Sequence, residues 1–196
     1  MDEARPLVAV FGSSTAVEPD AVWTLAYDLG AALGSAGADV MTGGYGGAMA
    51  ACSRGAHDAG AHVVGVTVDL FERRSPVNRW VKERVHTPDL YERLRHIVSR
   101  ADGFVATPGS LGTLSEILLT WTLLSVGGRP PGPLVLLGPL WAEWLETHRR
   151  PGLVPEPLFR HVELADSARD AARHVLAGIA TARGIPPATV PDRERP

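Results

Sequence analysis

ATPGSLGTLSE, residues 106–116, joins the end of a short apolar run to the start of a segment whose apolar residues have helical spacing. Pro108 and Gly109 favour a turn after the apolar run, and the glycines allow a ligand to approach the backbone closely. We predict a helix that begins at about Thr113, whose free N–H groups and positive dipole end would face this turn. The stretch therefore predicts either a tight strand-to-helix turn or a binding site for an anion such as phosphate.

Short apolar runs alternate with helical patterns along the rest of the chain. The predicted strands are 7–11, 39–42, 62–68, 80–86, 103–106, 134–137 and 162–164. The predicted helices are 20–36, 47–59, 89–101, 113–125, 139–148 and 167–183. This alternation predicts an α/β fold with an open, mostly parallel sheet and helices on both faces. We expect one domain over residues 1–184 and a disordered, proline-rich tail over residues 185–196.

Composition excludes several classes of function. The 196 residues can build one domain with a sizeable core, and the net charge of -3 offers no broad basic surface for nucleic acid. Cys52 is the single cysteine and no Cys/His cluster occurs, so we expect neither a disulfide framework nor a metal site. The chain shows no signal-peptide layout and no apolar run near the ~18 residues that span a bilayer. We therefore expect a cytoplasmic protein without a membrane partner.

Three turns rich in glycine or serine follow predicted strands: GSS at 12–14, GGYGG at 43–47 and PGSLG at 108–112. Ligands of open parallel sheets bind at this carboxyl edge. The second turn either binds an anion or lets a helix pack closely on a strand. None of the turns is a dinucleotide fingerprint, since Met49 stands where the last glycine would be needed, and the sequence contains no P-loop. The walls of a pocket at this edge would come from regions 13–17, 43–49 and 70–80.

Two charged side chains near these turns each allow two interpretations. Thr113 and Glu116 match a capping box, which on spacing alone favours a cap for Glu116. Arg93 borders the apolar stripe of the helix 89–101, so it either extends to water or turns into the cleft to bind phosphate. Spacing alone favours extension to water.

Taken together, these motifs resemble the LOG family, the "lonely guy" cytokinin-activating enzymes, which were long named as lysine decarboxylases. The family pattern is PGGxGTxxE, preceded by a helix with a conserved arginine and by an upstream glycine turn. The matching runs are PGSLGTLSE at 108–116, ERLRHIVSRADGFVATP at 92–108, TGGYGGAMAACSRGAHDAGAHVVGVT at 42–67 and GSS at 12–14. The resemblance covers roughly residues 7–145. This chain departs from the family pattern at Ser110, which replaces the second glycine of PGG, and at Leu94, where the family commonly has lysine.

The resemblance implies a Rossmann-like fold, a homodimer and phosphoribohydrolase activity, in which a nucleoside 5'-monophosphate and water give the free base and ribose 5-phosphate. It places the catalytic residues at Arg93 and Glu116 and requires no cofactor. A carboxylate suits this chemistry because positive charge develops on the ribose when the N-glycosidic bond breaks. We expect Glu116 to be ionised, with the neighbouring Arg93 favouring that form. The residues expected to bind phosphate or nucleotide are Gly12, Ser13, Gly43, Gly44, Met49, Gly109, Ser110, Gly112 and Thr113.

The sequence leaves two other functions open as alternatives. The first is a non-catalytic nucleotide binder that resembles the molybdenum cofactor carrier proteins, which have this fold and a similar glycine-rich turn before a glutamate. The second is pyridoxal-dependent decarboxylation, which needs a lysine for the Schiff base. Lys82 is the only lysine, and it lies outside the glycine turns.

The helix 113–125 is apolar nearly all round, so it must be buried. A second copy of the chain would cover it in a homodimer, as the resemblance implies. The alternative cover is the C-terminal segment of the same chain.

Overall fold

The computed structural model describes residues 4–72, 75–150 and 152–185. The strands are β1 Leu7–Phe11, β2 Asp39–Thr42, β3 Val63–Val68, β4 Glu83–Thr87, β5 Gly103–Ala106, β6 Leu134–Leu137 and β7 Val162–Ala165. The helices are α1 Ala21–Ser35, α2 Ala48–Asp58, α3 Asp69–Glu72, α4 Leu90–Arg100, α5 Leu111–Ser125, α6 Leu140–His148 and α7 Ala168–Ala182. A 3-10 helix spans Glu156–His161.

The strands form one open sheet in the order β4-β3-β2-β1-β5-β6-β7. Every pairing in it is parallel, with Val8 of β1 opposite both Val40 and Gly103. The predicted α/β class and Rossmann-like architecture are therefore confirmed, and the described sheet is wholly parallel rather than mostly so. β1 lies at its centre, where the chain changes direction across the sheet, and such a position is the usual ligand site of this architecture.

The core has two layers, one on each face of the sheet. Val8 and Val10 of β1 pack on the face covered by α1, α2 and α7, whereas Ala9 and Phe11 pack on the face covered by α4, α5 and α6. This alternation follows from the two-residue period of a strand. Both faces of a parallel sheet are covered, which explains why inner strands such as β1, β5 and β6 appear in the sequence as continuous apolar runs.

The helix that follows the PGSLG turn begins two residues earlier than predicted, at Leu111. Ser110 is its N-cap in an extended conformation, and its carbonyl oxygen accepts a hydrogen bond from Leu114 N at 3.0 Å. The predicted capping box is therefore wrong. The reason is tertiary: the buried side chain of Thr113 fills the space beside Gly109, where a Cβ would lie 2.1 Å from Thr113 Oγ1. Thr113 thus packs within the turn and does not cap the helix.

Two short elements were not predicted, α3 and the 3-10 helix. Neither is long enough to show a helical period in its sequence. The predicted disordered tail falls almost wholly on residues 186–196, which lie outside the described residues. Among the described helices, none combines the length and apolar character needed to cross a membrane.

The three glycine and serine turns contact one another at the carboxyl edge of the sheet. Ser13 joins them, since its N–H donates to Pro108 O at 3.2 Å and its carbonyl oxygen accepts from Ala48 N at 2.7 Å. Gly47 has a φ of 68°, and a Cβ there would lie 2.2 Å from Ser13 O. A glycine is needed at this position because both the backbone conformation and the close approach exclude a side chain.

Candidate functional site

A cavity of about 360 Å³ opens between the three turns. Of the residues predicted from the sequence, seven line it: Gly12, Met49, Arg93, Ser110, Gly112, Thr113 and Glu116. Four others are not part of its lining: Ser13, Gly43, Gly44 and Gly109. The convergence of parallel strand ends thus brings together residues that are more than 100 positions apart in sequence.

Arg93 turns into the cavity, so the expectation that it extends to water is wrong. The residue is 6% exposed, and its Nε donates to Val66 O at 2.8 Å. Its Nη1 lies 3.5 Å from Glu116 Oε1. The helix α4 that carries it is fixed by an N-cap at Asp89, whose side chain accepts from Glu92 N. The guanidinium is therefore held between Val66 O and Glu116, and Arg93 forms part of the cavity lining.

Glu116 lies opposite Arg93 on α5, and its side chain is 12% exposed. Burial raises its pKa to about 7, although the charge of Arg93 and its hydrogen bond act in the opposite direction. The expectation that Arg93 keeps Glu116 fully ionised is therefore wrong, because desolvation outweighs the ion pair. Near neutral pH both the acid and the carboxylate are populated, which is the condition for a group that gives and accepts protons.

The first two glycines of the GGYGG turn provide close packing. A Cβ on Gly43 would lie 1.9 Å from Arg93 Nη2, so the absence of a side chain makes room for the guanidinium. Gly44 has a φ of 78° and packs on Gly65, and its N–H donates to Thr42 Oγ1 at 3.1 Å. The later part of the turn lines the cavity through Gly46. Close packing therefore applies to Gly43 and Gly44, whereas anion binding by this turn stays a prediction.

Two helix N-termini reach the cavity. α5 presents Ser110, Gly112 and Thr113, and α2 presents Met49 near its first turn. Neither helix has a side-chain cap hydrogen bond at its N-cap residue. The first N–H groups of a helix have no partner within the helix, and the dipole places partial positive charge there. Together with Arg93, these ends make the cavity suited to an anion such as phosphate.

Five residues that line the cavity were not singled out from the sequence: Ser14, Tyr45, Gly46, Phe71 and Ser75. All five lie in the regions predicted to form the walls. Tyr45 is fixed by its hydroxyl, which donates to Val68 O at 2.8 Å and accepts from Val68 N at 2.7 Å. Phe71 meets Tyr45 edge to face at 5.9 Å, and its ring lies 5.9 Å from Arg93 Cζ. The wall beside the arginine is therefore aromatic.

Lys82 is exposed and lies directly before β4, where its N–H donates to Val63 O. This is the amino end of the strands, whereas the cavity lies at their carboxyl ends. A Schiff base formed on this lysine would therefore be at the wrong end of the sheet for the cavity.

One group of possible metal ligands occurs among the described residues: Asp69, Glu72 and His86, whose ligand atoms lie within 4.8 Å of one another. Arg84 Nη2 is hydrogen-bonded to Glu72 and lies 3.3 Å from His86 Nδ1. The arginine places a positive charge where a cation would bind. We therefore assign this group to an ion-pair network that joins α3 to β4.

Comparison by sequence finds a matching family model and relatives named cytokinin riboside 5'-monophosphate phosphoribohydrolase. A family model described as "Possible lysine decarboxylase" matches residues 49–175. A cytokinin riboside 5'-monophosphate phosphoribohydrolase of the LOG type from Arabidopsis thaliana is 32% identical over 130 residues, which are 65% of this chain and 60% of the relative. A probable cytokinin riboside 5'-monophosphate phosphoribohydrolase from Oryza sativa subsp. japonica is 30% identical over 168 residues, which are 83% of this chain and 68% of the relative. The chain thus spans about three fifths of the length of the Arabidopsis relative.

Solved structures with this fold include carriers as well. The molybdenum cofactor carrier protein from Chlamydomonas reinhardtii matches 90% of this chain and 99% of its own, with a TM-score of 0.69 and 24% identity. The molybdenum cofactor binding protein from Rippkaea orientalis matches 86% of this chain and 93% of its own chain, with a TM-score of 0.67 and 24% identity. Identity at this level shows the shared fold alone. The family match and the rice relative show more: this chain belongs to the LOG-type family, whose model has the description "Possible lysine decarboxylase".

Proposed function

We propose that this protein hydrolyses the N-glycosidic bond of a nucleoside 5'-monophosphate and releases the free base and ribose 5-phosphate. The observation that carries the proposal is the facing pair of Arg93 and Glu116, 3.5 Å apart and buried beside two helix N-termini. The named activity of the LOG-type relatives supports the same reaction.

The phosphate binds in the turn before α5. The backbone N–H groups of Gly112 and Thr113 lie in the first turn of that helix, and no heavy atom lies within 4 Å of a Cβ placed on Gly112. The backbone is thus open to a close ligand on this side, and the Ser110 hydroxyl adds a donor that the family's glycine lacks. Binding the phosphate here fixes the sugar and thereby the distance of its C1' from Glu116.

The carboxylate form of Glu116 accepts a proton from the attacking water. The water oxygen forms a bond to C1', the bond from C1' to the base nitrogen breaks, and its electron pair leaves with the base. The proton that Glu116 accepted then passes to the base, directly or through water, and Glu116 is again a carboxylate. Positive charge on the ribose is greatest during this step, and a carboxylate close to the sugar stabilises it. Arg93 orients Glu116 and favours its ionised form, against the effect of burial.

A second function, binding a nucleotide or molybdenum-cofactor-type ligand without cleaving it, is favoured by one observation. With a pKa of about 7, a large share of Glu116 is uncharged near neutral pH and does not repel an anionic ligand. The departures at Ser110 and Leu94 from the family pattern are the changes that would separate a binder from a hydrolase.

The experiment is a panel of nucleoside 5'-monophosphates incubated with the purified protein, with base release followed by chromatography. Glu116→Gln is the test variant. Glu143→Gln is its matched control, because Glu143 is an exposed glutamate on α6. Release of one base by the wild type and the control, and its loss in Glu116→Gln, supports the hydrolase and identifies the base. A monophosphate that raises the melting temperature but is never cleaved supports the binder and rejects the hydrolase.

We also propose a homodimer formed through α5. Its C-terminal half is partly covered by the chain's own 3-10 helix, since Trp121 packs on Phe159 and donates to Leu158 O at 2.9 Å. The same helix also carries Leu111, 79% exposed, and Leu118, 43% exposed, which a second copy would bury. Sedimentation velocity should find a dimer that Leu118→Arg converts to a folded monomer. A wild-type monomer at micromolar concentration would reject the proposal.

A further inference from the structure

Asn78 carries the only carboxamide side chain of the protein, since the sequence has one asparagine and no glutamine. It lies in the loop between α3 and β4 and is not part of the cavity lining. Two successive carbonyl groups of the GGYGG turn are bound to it. Its backbone N–H donates to Gly44 O at 2.8 Å, and its side-chain Nδ2 donates to Tyr45 O at 3.1 Å. Asn78 thus holds both carbonyl groups on its own side of the turn.

The carboxamide of Asn78 is itself fixed in one orientation. Its Oδ1 accepts from Trp80 N at 3.2 Å, so its Nδ2 is the atom that faces the carbonyl group of Tyr45. The same Nδ2 lies 3.4 Å from Ser53 Oγ, which is wholly buried and hydrogen-bonded to Thr42 Oγ1 at 3.2 Å. Each atom of the carboxamide therefore has a partner, and a flip of the group would place oxygen against oxygen.

The direction of the Tyr45 carbonyl group sets the direction of the next N–H, that of Gly46. The peptide bond between the two residues is trans, and in a trans peptide the N–H is opposite to the C=O. The N–H of Gly46 therefore points away from Asn78, and Gly46 lines the cavity. Within the described ranges this N–H donates to no backbone oxygen, so it is available to a ligand. The donor belongs to the backbone, so Gly46→Ala would retain it.

The GGYGG turn lies where the base of the proposed substrate would be. With the phosphate at the start of α5 and the sugar at Glu116, the base extends past Arg93, and a Cβ on Gly43 of this turn would clash with Arg93 Nη2. When the N-glycosidic bond breaks, its electron pair moves onto the base, whose ring nitrogens and exocyclic oxygens become stronger acceptors. A fixed N–H beside the base stabilises this charge in the transition state.

We propose that Asn78 is a positioning residue of this site, which holds the Tyr45 carbonyl group and thereby aims the N–H of Gly46 at the departing base. Its effect on the rate rests on the proposed hydrolysis. Without the Nδ2 donor, the carbonyl group of Tyr45 has no partner on the side of Asn78. Gly46 and Gly47 allow the peptide to rotate, so the carbonyl oxygen would turn into the cavity and replace the donor by an acceptor.

The test variant is Asn78→Asp, which keeps the shape, the backbone N–H and the acceptor for Trp80 N but cannot donate to Tyr45 O. We expect kcat for base release to fall about 10- to 100-fold with KM nearly unchanged, because the charge on the base develops only in the transition state. Asn78→Ala, which adds no charge, should show the same loss. Ser53→Ala is the matched control, since it removes the other partner of Nδ2 and should lower the melting temperature but keep kcat. An unchanged kcat in both Asn78 variants, or an equal loss in the control, would overturn the proposal.

A second readout does not need cleavage. The nucleoside 5'-monophosphate that most raises the melting temperature of Glu116→Gln is titrated into that protein, and the amide proton signal of Gly46 is followed by NMR. We expect a downfield shift at saturation, which is lost when Asn78→Asp is added. A monophosphate that binds and shifts Gly46 but is not cleaved by the wild type rejects the hydrolase and supports the placement of this N–H. Saturation that leaves the Gly46 signal unmoved would overturn the proposal, even in an active hydrolase.

Discussion

Replacing Gly43 by alanine tests whether the position of Arg93 matters for function. A Cβ at this position would lie 1.9 Å from Arg93 Nη2 and 2.5 Å from Met49 Sδ. Ordinary contact needs about 3.5 Å, so the guanidinium must move by roughly 1.5 Å. That shift breaks the hydrogen bond from Arg93 Nε to Val66 O. It also increases the distance between Arg93 Nη1 and Glu116 Oε1, which is 3.5 Å in the wild type.

A displacement of about 1 Å in a catalytic group can cost about 100-fold, and we expect a loss of this size in kcat/KM for base release by Gly43→Ala. The protein should stay folded, but its melting temperature should fall by several degrees, because the displaced guanidinium loses a buried hydrogen bond to Val66 O. Gly46→Ala in the same turn is the matched control, since its Cβ would meet nothing closer than Ser75 Oγ at 3.6 Å, and its loss should be much smaller. A folded Gly43→Ala protein with nearly wild-type kcat/KM would refute this role of Arg93.

Three further predictions concern side chains of the same cavity. The pKa of Glu116 is raised from 4.5 to about 7. Between these pH values the folded protein keeps the proton of the Glu116 carboxyl group, whereas the unfolded chain has lost it. The free energy of unfolding of the wild type therefore falls as the pH rises from 4.5 to 7. The free energy of unfolding of Glu116→Gln, measured in urea, should therefore rise relative to that of the wild type through this window, by at most about 1.4 kcal/mol per pH unit. A difference between the two proteins that does not change with pH would contradict the raised pKa. Tyr45→Phe leaves the N–H and C=O of Val68 unpaired and should cost about 1–3 kcal/mol in the same assay, whereas a change near zero would show that the hydroxyl is dispensable. Ser110→Gly removes no cap hydrogen bond, so the free energy of unfolding should change by only a few tenths of a kcal/mol. The same substitution removes a hydroxyl donor to the phosphate and should raise KM about tenfold. An unchanged KM would exclude a contact between Ser110 and the phosphate.

The fold could be predicted from the sequence because its signals are local. β1 and β5 are short apolar runs that end at turn residues, and each strand is followed by a helical pattern. Parallel order then places the strand ends at one edge, which is why the three turns could be expected to meet there. Neither the strand order nor the two short elements could be predicted, since they depend on packing between distant segments.

The candidate site could be predicted only in part. The resemblance to the LOG family identified Arg93 and Glu116, but spacing alone favoured a cap for Glu116 and extension to water for Arg93. A helical wheel gives the direction in which a residue leaves its helix, and a long side chain at the border of the apolar stripe can turn either way. The space beside Gly43 admits the guanidinium of Arg93, and this space belongs to a turn 50 positions earlier in the chain.

The pKa of Glu116 could not be predicted for a similar reason. The sequence shows a carboxylate close to an arginine, which predicts a lowered pKa. The structure buries the carboxyl group among three turns, and this desolvation raises the pKa to about 7. Phe71 was missed because α3 has only four residues and shows no period in the sequence.

The most direct measurement is the rate of base release from the preferred nucleoside 5'-monophosphate by the wild type, Glu116→Gln and Glu143→Gln under identical conditions. If Glu116 accepts the proton of the attacking water, Glu116→Gln should lose about 10²–10⁴-fold in kcat while Glu143→Gln keeps the wild-type rate. A Glu116→Gln protein that releases base as fast as the wild type would contradict the proposed chemistry of this site.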